Sequence, residues 1–333
     1  MMEPHANPVQ TLLRISGGYC LPRCLHVVAD LGVADALDDS PRTAEELARA
    51  VGAHPDALGR VLRLLAAHGV FEAAEGERFS HSPASLLLRS DHPRSMRALA
   101  RMFGLPLNWT IFGGLDHSVR TGLPASENVI PGGFWAYFAG HPDEHAIFNA
   151  AMEGKAHGQV AAIVGAYDFS RLRRIGDIGG GRGHLLRAVL AAAPAATGVL
   201  FDLPQVAAEA AAAASDRMTV QGGDFFKDDL PTCDAYLVME VIHDWGDEES
   251  VAILRAIRRA APPHARLLLI EQIVPATAGP HWSKMLDIHM LALLGGRQRT
   301  RREYEALLER AGFSIEREID TGADISILDA RTV

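Results

Sequence analysis

The chain has 333 residues, 48% of them hydrophobic and 22% charged, enough for a sizeable core and for two domains. A net charge of −9 argues against whole-molecule attraction to nucleic acid or anionic lipid. The polar opening, residues 1–10, lacks the basic start and apolar run of a secretory signal, and the richest apolar stretch, residues 290–294, stops at Gly295-Gly296; a cytoplasmic protein without a membrane partner is expected.

Residues 1–95 read as short helices followed by a hairpin. Thr43-Ala-Glu-Glu46 is a capping box, and Gly52 ends the helix that it starts. A second helix opens at Pro55, carries Leu58, Val61, Leu62 and Leu65 on one face, and stops at Gly69. Val70-Phe71, an acidic turn at Glu75-Gly76-Glu77 and Arg78-Phe79 complete a small β-wing. Helix, helix, wing is the winged-helix pattern. A DNA-reading helix needs several cations on one face, whereas this segment holds 9 Lys/Arg against 12 Asp/Glu, with only Arg60 and Arg63 on the second helix. Dimerisation is therefore the favoured use, with no nucleic-acid partner. Cys20, Cys24 and Cys233 lack disulfide or zinc spacing, so buried thiols and no metal are expected.

Residues 96–167 are mostly helical and rich in aromatics, a linking region that contributes to an acceptor pocket. From 168 to 333 the periodicity changes. Strands over 174–178, 199–202, 218–220, 235–239, 267–271, 313–319 and 325–328 alternate with helices near 184–193, 205–214, 248–261 and 301–311. That alternation predicts an α/β, Rossmann-like doubly wound sheet at the C-terminus.

The chemistry gathers at the strand ends. Asp177-Ile-Gly-Gly-Gly-Arg-Gly183 lets the backbone approach a ligand, but His184 and Leu186 break both readings of the dinucleotide spacing, which disfavours a nicotinamide cofactor. An acid just before the glycines suits a cationic amino group better than a pyrophosphate. Asp202, in Phe-Asp-Leu-Pro204, can accept both hydroxyls of a ribose, its alternative being a helix cap. In Gly223-Asp-Phe-Phe226, Asp224 can bond an adenine amino group while Phe225 packs on the ring. Ile242-His-Asp-Trp245 places His243 at the reacting end of such a nucleoside. A histidine near its ordinary 6.5 is neutral enough at pH 7 to take a phenolic proton, although a lone histidine more often packs or caps. Glu271 shifts that balance, because a carboxylate on the neighbouring strand end can hold the imidazole N–H and stabilise its charge.

In this order, DIGGGRG, FDLP, GDFF, HDW, the Glu271 strand and Gly295-Gly-Arg-Gln-Arg-Thr300 resemble the caffeic-acid and hydroxyindole class of S-adenosylmethionine-dependent small-molecule O-methyltransferases. The resemblance spans nearly the whole chain and implies a winged-helix N-terminal domain used for homodimerisation. It implies His243 as general base and Glu271 as its partner. S-adenosylmethionine, with S-adenosylhomocysteine as product, is expected on Gly179, Gly180, Gly181, Asp202, Leu203, Asp224, Phe225 and Met239. A small aromatic hydroxyl substrate is expected near Phe148, Met152, Met285 and His289. Two positions depart from the class. Met239 replaces a lysine that touches the cofactor in many relatives, and Gln298 replaces a second acid beside the histidine, leaving Glu271 to carry the charge alone. Members that methylate nitrogen or carbon are one alternative, and a ligand-sensing winged-helix regulator is another, which the absence of a basic reading helix disfavours.

Overall fold

The structure, a computed structural model, describes residues 7–333, so the first six residues of the polar opening lie outside it. It divides into two compact units, one holding the chain up to Thr110 with Phe138–Lys155, the other Ile111–Tyr137 with Ala156–Val333.

In the first unit, strands β1 (Arg42–Thr43), β2 (Phe71–Ala74) and β3 (Arg78–His81) form an antiparallel sheet in the order β1-β3-β2. β1 was not expected from the sequence; at two residues it has no readable period. The capping box is present: the Thr43 hydroxyl accepts from Glu46 N at 3.2 Å while Thr43 N donates to the Glu46 carboxylate at 2.7 Å. Gly52 closes that helix at φ +70°, a conformation that costs glycine nothing. Leu47, Leu58, Leu62, Leu65, Phe71 and Phe79 bury the helices Ala44–Val51 and Pro55–Ala67 against the hairpin. Further upstream, the helix Pro8–Ser16 buries no residue, and Val9, Leu12, Leu13 and Ile15 on it are all exposed. Cys20 is also exposed, Cys24 half-buried and Cys233 buried, so the expectation of buried thiols fails at Cys20, which lies in the first turn of the helix Cys20–Leu31.

The second unit is built on seven strands: β4 (Arg174–Ile178), β5 (Thr197–Asp202), β6 (Met218–Gly222), β7 (Ala235–Met239), β8 (Arg266–Glu271), β11 (Phe313–Asp320) and β12 (Ser326–Thr332); β9 (Ile273–Val274) and β10 (Arg299–Thr300) form a separate parallel pair. The order is β11-β12-β8-β7-β4-β5-β6, with β12 alone running against the rest. Chain order reverses between β4 and β7, which is the switch point where such sheets open a crevice beyond the strand carboxyl ends. Both faces of the sheet are covered. Tyr236, Val238, Leu267 and Leu269 enter one core while Ala235, Leu237, Leu268 and Ile270 enter the other, which explains unbroken apolar strands where one-sided burial would have required alternation.

Candidate active site

The glycine turn after β4 is held by its own conformation and by its neighbours. Gly179 sits at φ +71°, where a Cβ would stand 2.8 Å from Val241 Cγ2, and a Cβ on Gly180 would stand 2.6 Å from Leu200 and closer still to the Asp177 carboxylate. Gly183, at φ +73°, begins the helix His184–Ala192. Asp177 itself lies fully buried under the turn. Burial first, and then the Asp202 carboxylate, push its pKa up to about 7, against a partly opposing backbone N–H from Leu186.

At the end of β5, one Asp202 oxygen accepts Gly181 N at 2.8 Å and the other accepts Leu203 N at 2.7 Å. The next helix, Pro204–Ala210, takes no side-chain cap, so the capping alternative for Asp202 is not what the structure shows. Each oxygen keeps acceptor capacity for a hydroxyl. Leu203 is exposed beside it. At the end of β6, Asp224 accepts Phe226 N at 2.9 Å and pairs with Lys227 at 2.8 Å, and that lysine above all holds its carboxyl below the ordinary range. Phe225 stands edge-on to Trp245 at 5.9 Å between ring centres, and Phe226 stands edge-on to the same indole at 4.8 Å. Trp245 is a residue to which the sequence reading gave no role.

His243 occupies a 3₁₀ turn, Ile242–Asp244, beyond β7, and is buried. Glu271, fully buried at the end of β8, holds the turn twice. One oxygen accepts Ile242 N at 2.9 Å and His243 N at 3.3 Å, and the other lies 2.9 Å from the ring Nδ1. On the far side, Nε2 lies 3.4 Å from an Asp244 carboxylate oxygen. Burial opposes charge on the ring, but Glu271, then Asp244 and more weakly Glu240, outweigh it and lift its pKa to about 9. Two expectations are corrected here. Carboxylates bracket His243 and favour its protonated form, so the ring does not stand near its ordinary 6.5. Nor does Glu271 carry the charge alone.

The other expected residues fall in separate places. Met239 tucks partly into one core, and the following Glu240 turns through φ +51°, where Gln272 and Gln159 amides reach its carboxylate at 3.2 and 3.5 Å. The Gln298 side chain is buried without a hydrogen-bond partner among the described residues. Met285 and His289 lie one turn apart on the helix Trp282–Leu293, a helix missing from the sequence reading. The His289 Nδ1 donates to Met285 O at 2.9 Å, and both residues border a cleft of about 680 Å³ with Phe112 and Trp282. Phe148 packs on Phe138 at 5.1 Å in the other compact unit, where Met152 is half-buried.

Residues 112–314 match the O-methyltransferase domain and residues 13–91 the O-methyltransferase dimerisation domain. The chain belongs to the O-methyltransferase family. It is 40% identical over 97% of its length to the phenazine O-methyltransferase of Lysobacter antibioticus, covering 96% of that protein. It is 38% identical over 94% of its length to an 8-amino-8-demethylriboflavin N,N-dimethyltransferase of Streptomyces davaonensis, covering 91% of it. It superposes with a TM-score of 0.86 on the LaPhzM crystal structure, at 40% identity, covering 98% of this chain and 100% of that one. This enzyme is therefore an S-adenosylmethionine-dependent methyltransferase, with a dimerisation domain before its mainly parallel catalytic sheet.

Proposed function

We propose that the chain transfers a methyl group to a hydroxyl of a small aromatic acceptor, with His243 as general base and Glu271 as the group that orients and charges it. The observation that carries this reading is the 2.9 Å contact between Glu271 and His243 Nδ1 at the carboxyl edge of the sheet. It supports a ring turned with Nδ1 toward the carboxylate, which would leave Nε2 as the nitrogen that takes a proton. The residues around the switch point fit the cofactor. Asp202 would take the ribose hydroxyls, Asp224 and Phe225 the adenine, and the backbone of Gly179, Gly180 and Gly181, with Leu203 and Met239, would line the rest. Bound S-adenosylmethionine supplies an electrophilic methyl group on a sulfonium. The acceptor proton goes to Nε2, which in the free protein must first lose its own proton; a neighbouring positive charge favours that loss. Met285 and His289, which border the cleft beside Trp282, would contact the acceptor.

The working form in this reading is a homodimer in the cytoplasm. The family dimerisation domain supports the dimer, and the exposed apolar side chains on Pro8–Ser16 supply a surface that calls for a cover. No helix among the described residues is long and apolar enough to cross a membrane. A second reading, transfer to an aromatic amine, is favoured by the likeness to the riboflavin-class N,N-dimethyltransferase.

The test uses S-adenosylmethionine with paired hydroxy- and amino-arenes of the same skeleton. Methylation of the hydroxyl, with His243→Ala lowering turnover by about 10² to 10⁴ while S-adenosylhomocysteine still binds, is the expected result. Turnover unchanged in His243→Ala would remove the base from the mechanism, and transfer to the amine alone would establish the second reading.

A further inference from the structure

The second arginine of the motif Gly295-Gly-Arg-Gln-Arg-Thr300 is among the largest fully buried side chains of the protein. Arg299 Nη1 donates to Ile242 O at 3.1 Å and Nη2 to Trp245 O at 2.9 Å, the two carbonyls that flank the His243-Asp244 pair. Nε and Nη2 also reach one Asp247 oxygen, at 3.1 and 2.8 Å. From the same segment, Arg297 N donates to His243 O at 2.8 Å, and a Cβ on Gly296 would stand 2.1 Å from that oxygen, so this segment lies tight against the turn.

We propose that Arg299 is a positioning residue for methyl transfer, strapping the Ile242–Asp244 turn by its carbonyls while Glu271 grips it by its amides. Between them the two side chains and Arg297 N bind Ile242 N, His243 N, Ile242 O, His243 O and Trp245 O, so the backbone that carries the imidazole is held by its amides and by its carbonyls. A buried guanidinium is a poor stabiliser in itself, since apolar residues of similar volume commonly do as well. Among the described residues this one has a single carboxylate partner, Asp247, whose side chain is 46% exposed, and it spends its other donors on neutral carbonyls. The fork is what the site needs: rigid, planar donors span two carbonyls, which the single head of a lysine does not. The inference rests on His243 being the base, but the orientation of the ring is measurable without turnover.

The experiment compares Arg299→Lys, which keeps the charge and loses the fork, with Arg299→Met, which loses both, and with Asp247→Asn, which loosens the guanidinium from the solvent side. Three readouts are taken on the full protein: kcat and KM, calorimetric affinity for S-adenosylhomocysteine, and the ¹⁵N titration of His243 identified by its loss in His243→Ala. The charged groups acting on the ring are Glu271 from β8, Asp244 and, more weakly, Glu240; Arg299 and its partner Asp247 act on the turn that carries it, and Tyr304 from the helix Arg301–Arg310 faces Glu271 and Arg299. A ring no longer held against Glu271 loses its main anionic partner, so its titration moves down. A neighbouring cation removed without displacement moves it up.

Both Arg299 variants are therefore expected to lower kcat about 100-fold, as a misplacement of about 1 Å would, with cofactor affinity kept and the His243 titration lowered. Asp247→Asn is expected to move all three in the same direction by less. Full rescue by lysine, an upward titration, or an unchanged kcat would each overturn the proposal. So would a loss confined to cofactor affinity. Should Arg299→Lys and Arg299→Met fail to fold, Asp247→Asn decides alone, and normal kcat and titration there would refute it. Normal turnover in His243→Ala would instead defeat the base reading, and the titration would still report whether Arg299 holds the ring.

Discussion

At the scale of the residue, His243 shows how burial and charge compete. Removing an imidazolium from water disfavours it, yet Glu271 at 2.9 Å and Asp244 at 3.4 Å reverse the outcome and raise its pKa to about 9. At pH 7 the protonated ring is then favoured in the free enzyme. kcat/KM for the cofactor should therefore climb about tenfold per pH unit until near pH 9, while the limb in kcat, measured with a cationic cofactor in place, should lie lower. A flat profile between pH 6 and 9 would contradict this. The same shift acts on stability in the opposite sense. Because the folded pKa lies above the ordinary 6.5, the stability that the imidazolium contributes is complete below pH 6.5 and is lost as the pH rises through 9.

At the scale of the element, the site depends on strands that are covered on both faces. Leu268 and Leu269 are neighbours in β8 and both fully buried, one in each core. Replacing either by alanine should cost about 2–5 kcal/mol in urea unfolding, with a similar cost from each layer; a negligible cost from one would show that face to be open. The strand matters to the chemistry because it delivers Glu271 to the carboxyl edge beside β7, and Glu240 N extends the ladder by donating to Ile270 O at 2.9 Å. The 3₁₀ turn that carries His243 has little intrinsic stability, being three residues long. Its shape comes from the side chains that hold its amides and carbonyls.

At the scale of the whole molecule, two compact units do different work, and the first holds a helix that cannot be stable alone in water. Leu12 and Leu13 are each 67% exposed on the nine-residue helix Pro8–Ser16, which is too short to persist without tertiary cover. Replacing both with glutamate should convert a sedimenting species of about twice 35.9 kDa into one of 35.9 kDa. An unchanged sedimentation coefficient would place the dimer contact elsewhere.

Much of this architecture was readable from local pattern. The capping box at Thr43, the Gly52 stop, all seven strands of the main sheet within two residues at the start and four at the end, and the acids and histidine at strand ends follow from periods, caps and glycine placement that act over a few residues. What the chain order could not convey was decided by groups that meet only when distant segments pack. Trp245 set against Phe225 and Arg299 buried beneath the histidine turn are surface-seeking or anonymous residues in a linear reading. Whether a guanidinium is solvated or spent on two carbonyls, and whether an imidazole near 6.5 becomes one near 9, depends on dielectric and on partners 28 to 57 residues away in the chain. Sequence alone determined the strands of the main sheet and which side chains stand at their ends; tertiary structure decided their charge and their aim, because electrostatic energies are set by distance and burial and not by order along the backbone.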